Sequence, residues 1–380
     1  MGFLTKKAAI VGVAEFERRR APDKTVFSIH AEMAKRALED AGLTLKDVDG
    51  YFTSGDVGPL SEYMGLHPNY IDSTSVGGSS FVIHVGHAAA AIAAGMCNVA
   101  LITYGSTNWS GGVSTGAAGR AARMPADNFE VPYGPTTIGS YALCAQRHAY
   151  QYGTTDAQRA EISVATRKWA ALNPDAMFRT PLTLEDVVNS RVVSSPLHFL
   201  ECCLISDGGG GVVLTSAERA KDLKHPPVYV LGESEYWSHS TMNQMADFTK
   251  NPAAGCGEKA FQMAGVDRKD IDIAMIYDSF TITVLMELED LGFCAKGEGG
   301  AFVSGQRTAP GGAFPMNTDG GGLSSNHPGA RGIFLVIEAT RQLRHMFEGT
   351  PRQVPNAKIA IAHGTGGSMS SGGTAIRGRD

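Results

Sequence analysis

Four short stretches place a side chain able to hold or move a proton at a turn or beside glycine. They are Val76-Gly77-Gly78-Ser79-Ser80, Tyr277-Asp278-Ser279-Phe280, Asn326-His327-Pro328, and His363 ahead of Gly364-Thr365-Gly366-Gly367. His327 stands in a glycine-rich turn before an expected helix. There an imidazole and neighbouring N–H groups can face one ligand oxygen; the alternative is a loop histidine that caps backbone groups. Tyr277 follows the strand-like run "DIAMI", and strand ends are where α/β sites form. Its hydroxyl can polarise an oxygen, or the ring packs at the strand end. His363 also ends a strand-like run, and an ordinary imidazole titrates near neutral pH, which suits acid–base work. The alternative is bonding to loop carbonyls. Ser75, Ser79 and Ser80 become nucleophiles only beside a base.

The remaining reactive side chains read more plainly as structural. His84 and His87 are spaced i, i+3 and share a helix face. With no carboxylate or thiol nearby in sequence they suggest packing or a subunit interface, and no metal site is expected. His148 has the same standing. Cys97 is expected to be buried, and Cys202-Cys203 to pack against a sheet. The six cysteines (97, 144, 202, 203, 256 and 294) contain no CxxC pair, which fits reduced thiols and a cytoplasmic setting. The run Arg18-Arg19-Arg20 reads as a solvated turn, with an anionic ligand contact as the alternative.

These residues need a frame, and the frame is a repeat. "KRALEDAGLTLKDVDGYFT" (35–53) resembles "EKAFQMAGVDRKDIDIAMI" (258–276) at a constant shift of 223 residues: Ala37, Ala41, Gly42, Lys46, Asp47 and Asp49 recur as Ala260, Ala264, Gly265, Lys269, Asp270 and Asp272. Each copy predicts a helix stopped by glycine, a polar loop and a strand. The spacing is too long for a solenoid and predicts two halves of similar fold. Strands are expected at 99–104, 226–231 and 358–362, helices at 81–95 and 331–344, and a returning strand within 205–216. Alternation of strand and helix predicts mostly parallel sheets covered on both faces. Residues 106–200 mix loops with amphipathic helices, too much chain for a connector, and are read as a cap over a cleft. The halves are then 1–222 and 223–380.

Composition narrows the function. The chain has 380 residues, is 43% hydrophobic and carries a net charge of −5, so no basic field gathers nucleic acid. No apolar run reaches the ~18 residues of a membrane span, and "MGFLTKKAAIVGV" reads as a strand rather than a leader. "AAIVGVAEFERR" has one glycine where a dinucleotide fold needs GxGxxG, and there is no P-loop. The 46 glycines cluster between apolar runs, as suits tight turns and close backbone approach to a ligand.

The repeat, "YGTTDAQRAEISVATRKWAALNP", "SPLHFLECCLISDGGGGVVLTSAERA", "YDSFTITVLMELEDLGF" and "NTDGGGLSSNHPGARG" together resemble the thiolase superfamily, in the branch of sterol-carrier-protein thiolases and bacterial lipid-transfer acetyltransferases. The resemblance covers essentially the whole chain. It implies a duplicated thiolase fold: α/β, five layers αβαβα, two mostly parallel mixed sheets and an inserted capping loop subdomain. Family members attack an acyl-CoA with a cysteine, activate it with the histidine of a Gly-His-Pro motif, and move the α-proton with a second cysteine.

Carried over residue by residue, the nucleophile position is Gly78, which has no side chain to acylate; a shifted alignment would bring Ser75, Ser79 or Ser80 there. Asn326-His327-Pro328 keeps the histidine. Tyr277-Asp278-Ser279-Phe280 stands where members often have His-Asp-Cys-Phe, so a hydroxyl replaces the proton-moving thiol and Asp278 is expected to tie the loop through backbone N–H groups. His363 falls where relatives place a histidine or cysteine. Thiolase-like steroid aldolases work with tyrosines, and Tyr277 fits one of their positions, although Asn326-His327-Pro328 is nearer the true thiolases.

The resemblance thus implies an enzyme acting on acyl-CoA carbon–carbon bonds by retro-aldol, retro-Claisen or condensation chemistry without an acyl-enzyme. His327 would bind the thioester oxygen, and Tyr277 and His363 would handle protons; Gly78, Ser79 and Ser80 would form the nucleophile or oxyanion loop, and Asn326, Asp278 and Ser279 would support them. No bound cofactor is expected, coenzyme A being part of the substrate. A homodimer is implied, together with a small OB-fold/zinc-ribbon accessory subunit. A non-catalytic acyl-CoA-binding or scaffold subunit is the other reading.

Overall fold

The computed structural model describes residues 2–112 and 125–379, with Ala126 in its backbone only. Most of the "NWSGGVSTGAAGRAARMP" stretch (113–124) lies outside them. The chain begins β1 (Ala8–Glu15), α1 (Val26–Ala41), β2 (Gly50–Phe52), α2 (Val57–Met64), β3 (Tyr70–Asp72), α3 (Ser80–Ala93) and β4 (Val99–Ser106). The middle segment holds α4 (Thr137–Tyr152), α5 (Asp156–Leu172), α6 (Leu184–Val188) and a small hairpin of β5 (Val192–Ser194) and β6 (Leu197–His198); β7 (Gly208–Ser216) then returns to the sheet. The rest runs β8 (Val228–Trp237), α7 (Ala253–Ala264), β9 (Ile273–Ile276), α8 (Thr281–Asp290), α9 (Gly299–Val303), α10 (Gly332–Leu343), β10 (Ile359–Gly366) and β11 (Ser371–Gly378).

Nine of the described strands form one sheet, in the order β3-β2-β4-β7-β1-β8-β11-β10-β9. Read outward from its centre, β1-β7-β4-β2 is matched by β8-β11-β10-β9, so the sequence repeat is also a repeat of strand order. Two expectations need correction. The two anticipated sheets are joined where Ala9 and Ile10 of β1 pair with Tyr229 and Val228 of β8. The pairing is also not mostly parallel: among the described strands only β2 with β3, β2 with β4 and β9 with β10 run parallel. The reason is visible at β10–β11. They are joined by Gly367–Ser370, and so short a link permits only a hairpin.

The sheet's inner face wraps α3 and α10, whose Val82, Val85, Ile333 and Ile337 share a buried cluster with Ile10, Ile102, Val212, Ile273 and Ala360. Alternate residues (Ala9, Val11, Leu101, Val213, Ile276) face outward, against α1 and α7, as the period of two requires. Helix, half-sheet, central helices, half-sheet, helix are the five layers. Small residues set the spacing at matching places in the two halves. A Cβ on Gly12 would lie 2.1 Å from the Ala37 carbonyl oxygen, and one on Gly232 would lie 2.2 Å from that of Ala260. Only glycine lets α1 and α7 press this closely on β1 and β8. Among the described residues no helix is long and apolar enough to cross a membrane.

Candidate active site

A cavity of about 730 Å³ opens where the N-terminus of α3, the residues after β9, the 321–329 loop and the β10–β11 turn meet under α4, α5 and the β5–β6 hairpin. It is lined by Gly77, Gly78, Tyr277, Ser279, His327 and Gly366-Gly367 on the sheet side, and by apolar residues of the middle segment such as Ile138, Phe178, Phe199 and Leu200 on the other.

Tyr277 sits at the centre of this site. Its ring lies against Gly78: a Cβ built on Gly78 would be 2.4 Å from both Cε2 and Oη of Tyr277. The tyrosine therefore fills the volume a nucleophilic side chain would need. Its hydroxyl accepts the Arg331 backbone N–H (3.0 Å) and meets His327 Nε2 at 3.1 Å. The two rings stand edge to face, 5.8 Å apart. Burial holds the Tyr277 hydroxyl well above the usual phenol range, so it is protonated at rest. Burial, helped by the nearby Arg331 guanidinium, pushes His327 down to about 4, so its imidazole is neutral. His327 Nδ1 is buried and has no hydrogen-bond partner among the described residues.

The loop carrying His327 is held by a buried charge cluster. Asp278 accepts the N–H groups of Gly322 (2.7 Å) and Leu323 (3.1 Å), the loop-tying role expected from sequence. Arg331 lies 3.3 Å from Asp278 and pairs with Asp319, and it donates to the Asn326 side-chain oxygen at 2.7 Å. Asn326 in turn donates to Glu15 at 3.0 Å. Asn326 and Asp278 thus shape the loop from outside the cavity, while Ser279 lines it, bonded to Thr283 at 3.0 Å.

The other sequence candidates are not all brought together. Ser80 accepts the Val76 N–H (2.9 Å) and donates to the Gly77 carbonyl (2.7 Å), and Ser79 bonds Ser371 at 2.7 Å. Both are buried off the cavity, and neither hydroxyl has a base among its described partners. His363 also does not line the cavity. It is buried on β10, bonded through Nδ1 to Thr374 at 2.8 Å, with Nε2 3.8 Å from Glu287, and burial lowers it to about 3. Cys202 and Cys203, expected to pack against the sheet, line the cavity instead. Burial raises both thiols, Cys202 to about 12, which leaves no reactive thiolate. The arginine run splits: Arg18 pairs with Asp23, Arg19 is buried on Glu15 at 2.7 Å, and Arg20 stacks 4.3 Å from the Trp109 ring at the cavity. His148 is buried between Thr154 and Glu289. His87 finds carboxylates that sequence proximity did not show, Asp72 at 2.5 Å and Glu235 at 3.3 Å. No group of three or more His, Cys, Asp or Glu among the described residues could hold a metal.

Sequence reasoning missed Tyr141, Arg167 and Arg191. Tyr141 lines the cavity from α4, its hydroxyl donating to the Gly367 carbonyl at 3.2 Å and its ring 4.4 Å from Phe280. Arg167 and Arg191 lie over Phe178 and Phe199, and with Arg20 they put three guanidinium groups on a lining that has no carboxylate among the described residues. Three arginines each paired with an aromatic ring is a pattern the sequence could have yielded only with the fold in hand.

A duplicated five-layer α/β fold with its cavity at these strand ends is that of the thiolases. Residues 234–379 match the family model described as thiolase C-terminal domain-like. The chain is 34% identical to a steroid side-chain-cleaving aldolase of Thermomonospora curvata, covering 96% of this chain and 97% of that protein. It is 32% identical to 17-hydroxy-3-oxo-4-pregnene-20-carboxyl-CoA lyase of Mycobacterium tuberculosis, covering 90% and 92%. Among solved structures it superposes on one titled Ltp2-ChsH2(DUF35) aldolase with a TM-score of 0.89, 30% identity and 99% of both chains covered. The chain belongs to the thiolase superfamily, in its sterol-carrier-protein-thiolase-like branch. It is an enzyme of acyl-CoA carbon–carbon bond chemistry, and the scaffold reading is not favoured.

Proposed function

We propose that this enzyme cleaves a β-hydroxyacyl-CoA by a retro-aldol reaction with no acyl-enzyme. The observation that carries the reading is the Tyr277 ring in the volume above Gly78, with its oxygen bonded to His327 and to the Arg331 N–H. A neutral tyrosine oxygen has one proton to give and two lone pairs. One lone pair holds the Arg331 N–H; the other takes the β-hydroxyl proton of the substrate while the tyrosine's own proton passes to neutral His327. The carbon–carbon bond then breaks, and a ketone or aldehyde leaves a thioester enolate. Its oxygen faces the N-terminus of α3 at Gly78, where first-turn N–H groups have no acceptor within the helix. In this assignment His327 is the final base behind Tyr277 rather than the ligand of the thioester oxygen.

The substrate class follows from the lining. Arg20, Arg167 and Arg191 suit the phosphates of coenzyme A, and the apolar wall of Ile138, Phe178, Phe199, Leu200 and Phe280 suits a large apolar acyl group, which the polycyclic substrates named for the relatives support. We further propose cytoplasmic residence, a homodimer and an accessory subunit of the OB-fold/zinc-ribbon kind; the two-component name of the solved aldolase complex supports the last of these. Residues 1–222 and 223–380 are our division of the chain into halves, with 106–200 as the cap. The test is to incubate the protein with a β-hydroxyacyl-CoA bearing a polycyclic or branched acyl group. Equal amounts of carbonyl product and shortened acyl-CoA, with an unchanged intact protein mass, are expected; an acyl-protein adduct overturns the mechanism.

A further inference from the structure

In the retro-aldol reading the enolate α-carbon must gain a hydrogen while the proton taken from the β-hydroxyl is left on Tyr277 and His327, and no carboxylate among the described residues lines the cavity. A run of buried polar groups leads away from the cavity at Ser279. The Ser279 hydroxyl is 3.0 Å from that of Thr283. One turn further along α8 is Glu287, fully buried, with neither carboxyl oxygen hydrogen-bonded among the described residues. The i, i+4 spacing puts Thr283 and Glu287 on one helix face, with Cβ atoms about 6 Å apart, within reach of a glutamate side chain. Beyond Glu287 are His363 Nε2 at 3.8 Å, then Thr374 at 2.8 Å from His363 Nδ1, then Cys256 at 3.2 Å from Thr374. Asp278, Asp290 and the hydroxyl of Tyr141 are the other titratable groups near the Glu287 carboxyl. Burial, with Asp278 next, holds Glu287 well above the usual carboxylate range, so it carries a proton. An unbonded buried carboxyl is costly to keep, and Tyr277 with His327 gives it no role.

We propose, resting on the retro-aldol reading, that Glu287, backed by His363, is the internal proton source for the substrate α-carbon, reached from the cavity through the hydroxyls of Ser279 and Thr283. In the step, the Ser279 O–H bond breaks as the Cα–H bond forms. Thr283 restores the Ser279 proton, and Glu287, whose carboxyl is not bonded to Thr283 at rest, rotates onto that hydroxyl and restores its proton. The resulting carboxylate faces His363 and regains a proton from solvent after product leaves, while His327 releases to solvent the proton it took from Tyr277. One proton leaves the substrate and one enters, with no redox partner. Glu287 acts through the two hydroxyls and touches no substrate atom.

Microscopic reversibility makes the same chain remove the α-proton of the acyl-CoA product in the molecules whose Glu287 is ionised, so exchange should rise with pH. The experiment follows α-hydrogen exchange of acetyl-CoA and propionyl-CoA in deuterium oxide by mass spectrometry, with the protein as isolated, alongside cleavage of a β-hydroxyacyl-CoA. Wild type should exchange. Glu287→Gln and Thr283→Val should each slow exchange at least tenfold while melting like wild type, and Glu287→Asp should recover part of the rate. Tyr277→Phe should give the opposite split, losing cleavage and keeping exchange. Exchange within twofold of wild type in both Glu287→Gln and Thr283→Val overturns the proposal, as does a wild type that cleaves but never exchanges. A wild type that does neither overturns the functional reading instead.

Discussion

A thiol placed above the α3 N-terminus by Gly78→Cys should not make this protein a thiolase; it should break the site it has. A Cβ at residue 78 would lie 2.4 Å from Cε2 and Oη of Tyr277 and 2.5 Å from Cζ, against an ordinary carbon–carbon contact of about 3.5–4.0 Å. The ring must retreat by more than about 1 Å. Overpacking of this kind costs about 1–3 kcal/mol. The retreat also breaks the bond to His327 and leaves the buried Arg331 N–H without its acceptor, a further ~1–3 kcal/mol. Gly78→Ala carries the same Cβ and should cost nearly as much, about 2–5 kcal/mol in all, with cleavage falling by roughly 10²-fold or more as an oriented hydrogen-bonding group is lost. The assay is a double-mutant cycle of Gly78→Ala with Tyr277→Ala, read by denaturant unfolding. In the Tyr277→Ala background the added methyl meets space, so its cost should largely disappear. If Gly78→Ala costs less than about 0.5 kcal/mol alone, or if Gly78→Cys forms an acyl-enzyme while cleavage stays intact, the steric account is wrong.

Other outcomes follow from the same geometry. Tyr277→Phe should lower kcat by about 10²-fold or more and cost about 1–3 kcal/mol of stability through the orphaned Arg331 N–H; steady-state kinetics and melting check both. Arg331→Met should strand the buried Asp278 and Asp319 carboxylates and cost about 3–5 kcal/mol, seen as a large drop in melting temperature. Arg191→Ala, at an exposed edge of the cavity, should raise KM for the CoA thioester with little change in kcat, and the effect should shrink as salt rises. Burial holds His30, His84 and His327 at about 4 and His363 at about 3, against 6.5 ordinarily. Each of these histidines binds its proton more readily in the unfolded chain and so contributes stability that is lost as pH drops from about 6.5 towards 4, whereas Glu233, raised to about 8, Asp278, raised to about 6, and Glu287 act the other way over that range. The histidine share is read as the stability difference between wild type and His84→Gln, which should shrink as pH falls; a difference that stays constant refutes the assignment.

Much of this protein could be read along its chain. The repeat at a shift of 223, the helices stopped at Gly42 and Gly265, and the strands expected at 99–104 and 358–362, found at Val99–Ser106 and Ile359–Gly366, rest on local periodicity and turn chemistry, which neighbouring residues decide by themselves; Asp278 instead ties a loop 44 residues further on. The bare position at Gly78 was also legible, because a missing side chain needs no partner to be noticed. What fills that space was not. Tyr277 lies 199 residues further on, and its ring meets Gly78 only because β9 ends beside the start of α3. His363 looked like its neighbours in sequence, yet the alternation of β10 turns it into the interior towards Glu287 and away from the cavity. Cys203, Tyr141, Arg167 and Arg191 carry no local signal, since a lining residue is defined by the segments facing it. The antiparallel entry of β7 and β11 likewise depends on which neighbour each strand meets. Sequence determined the elements, their duplication and the bare residue at position 78, because those are properties of contiguous residues. Only the tertiary structure decided which side chains share the cavity, because that turns on ångström-scale contacts between segments hundreds of residues apart.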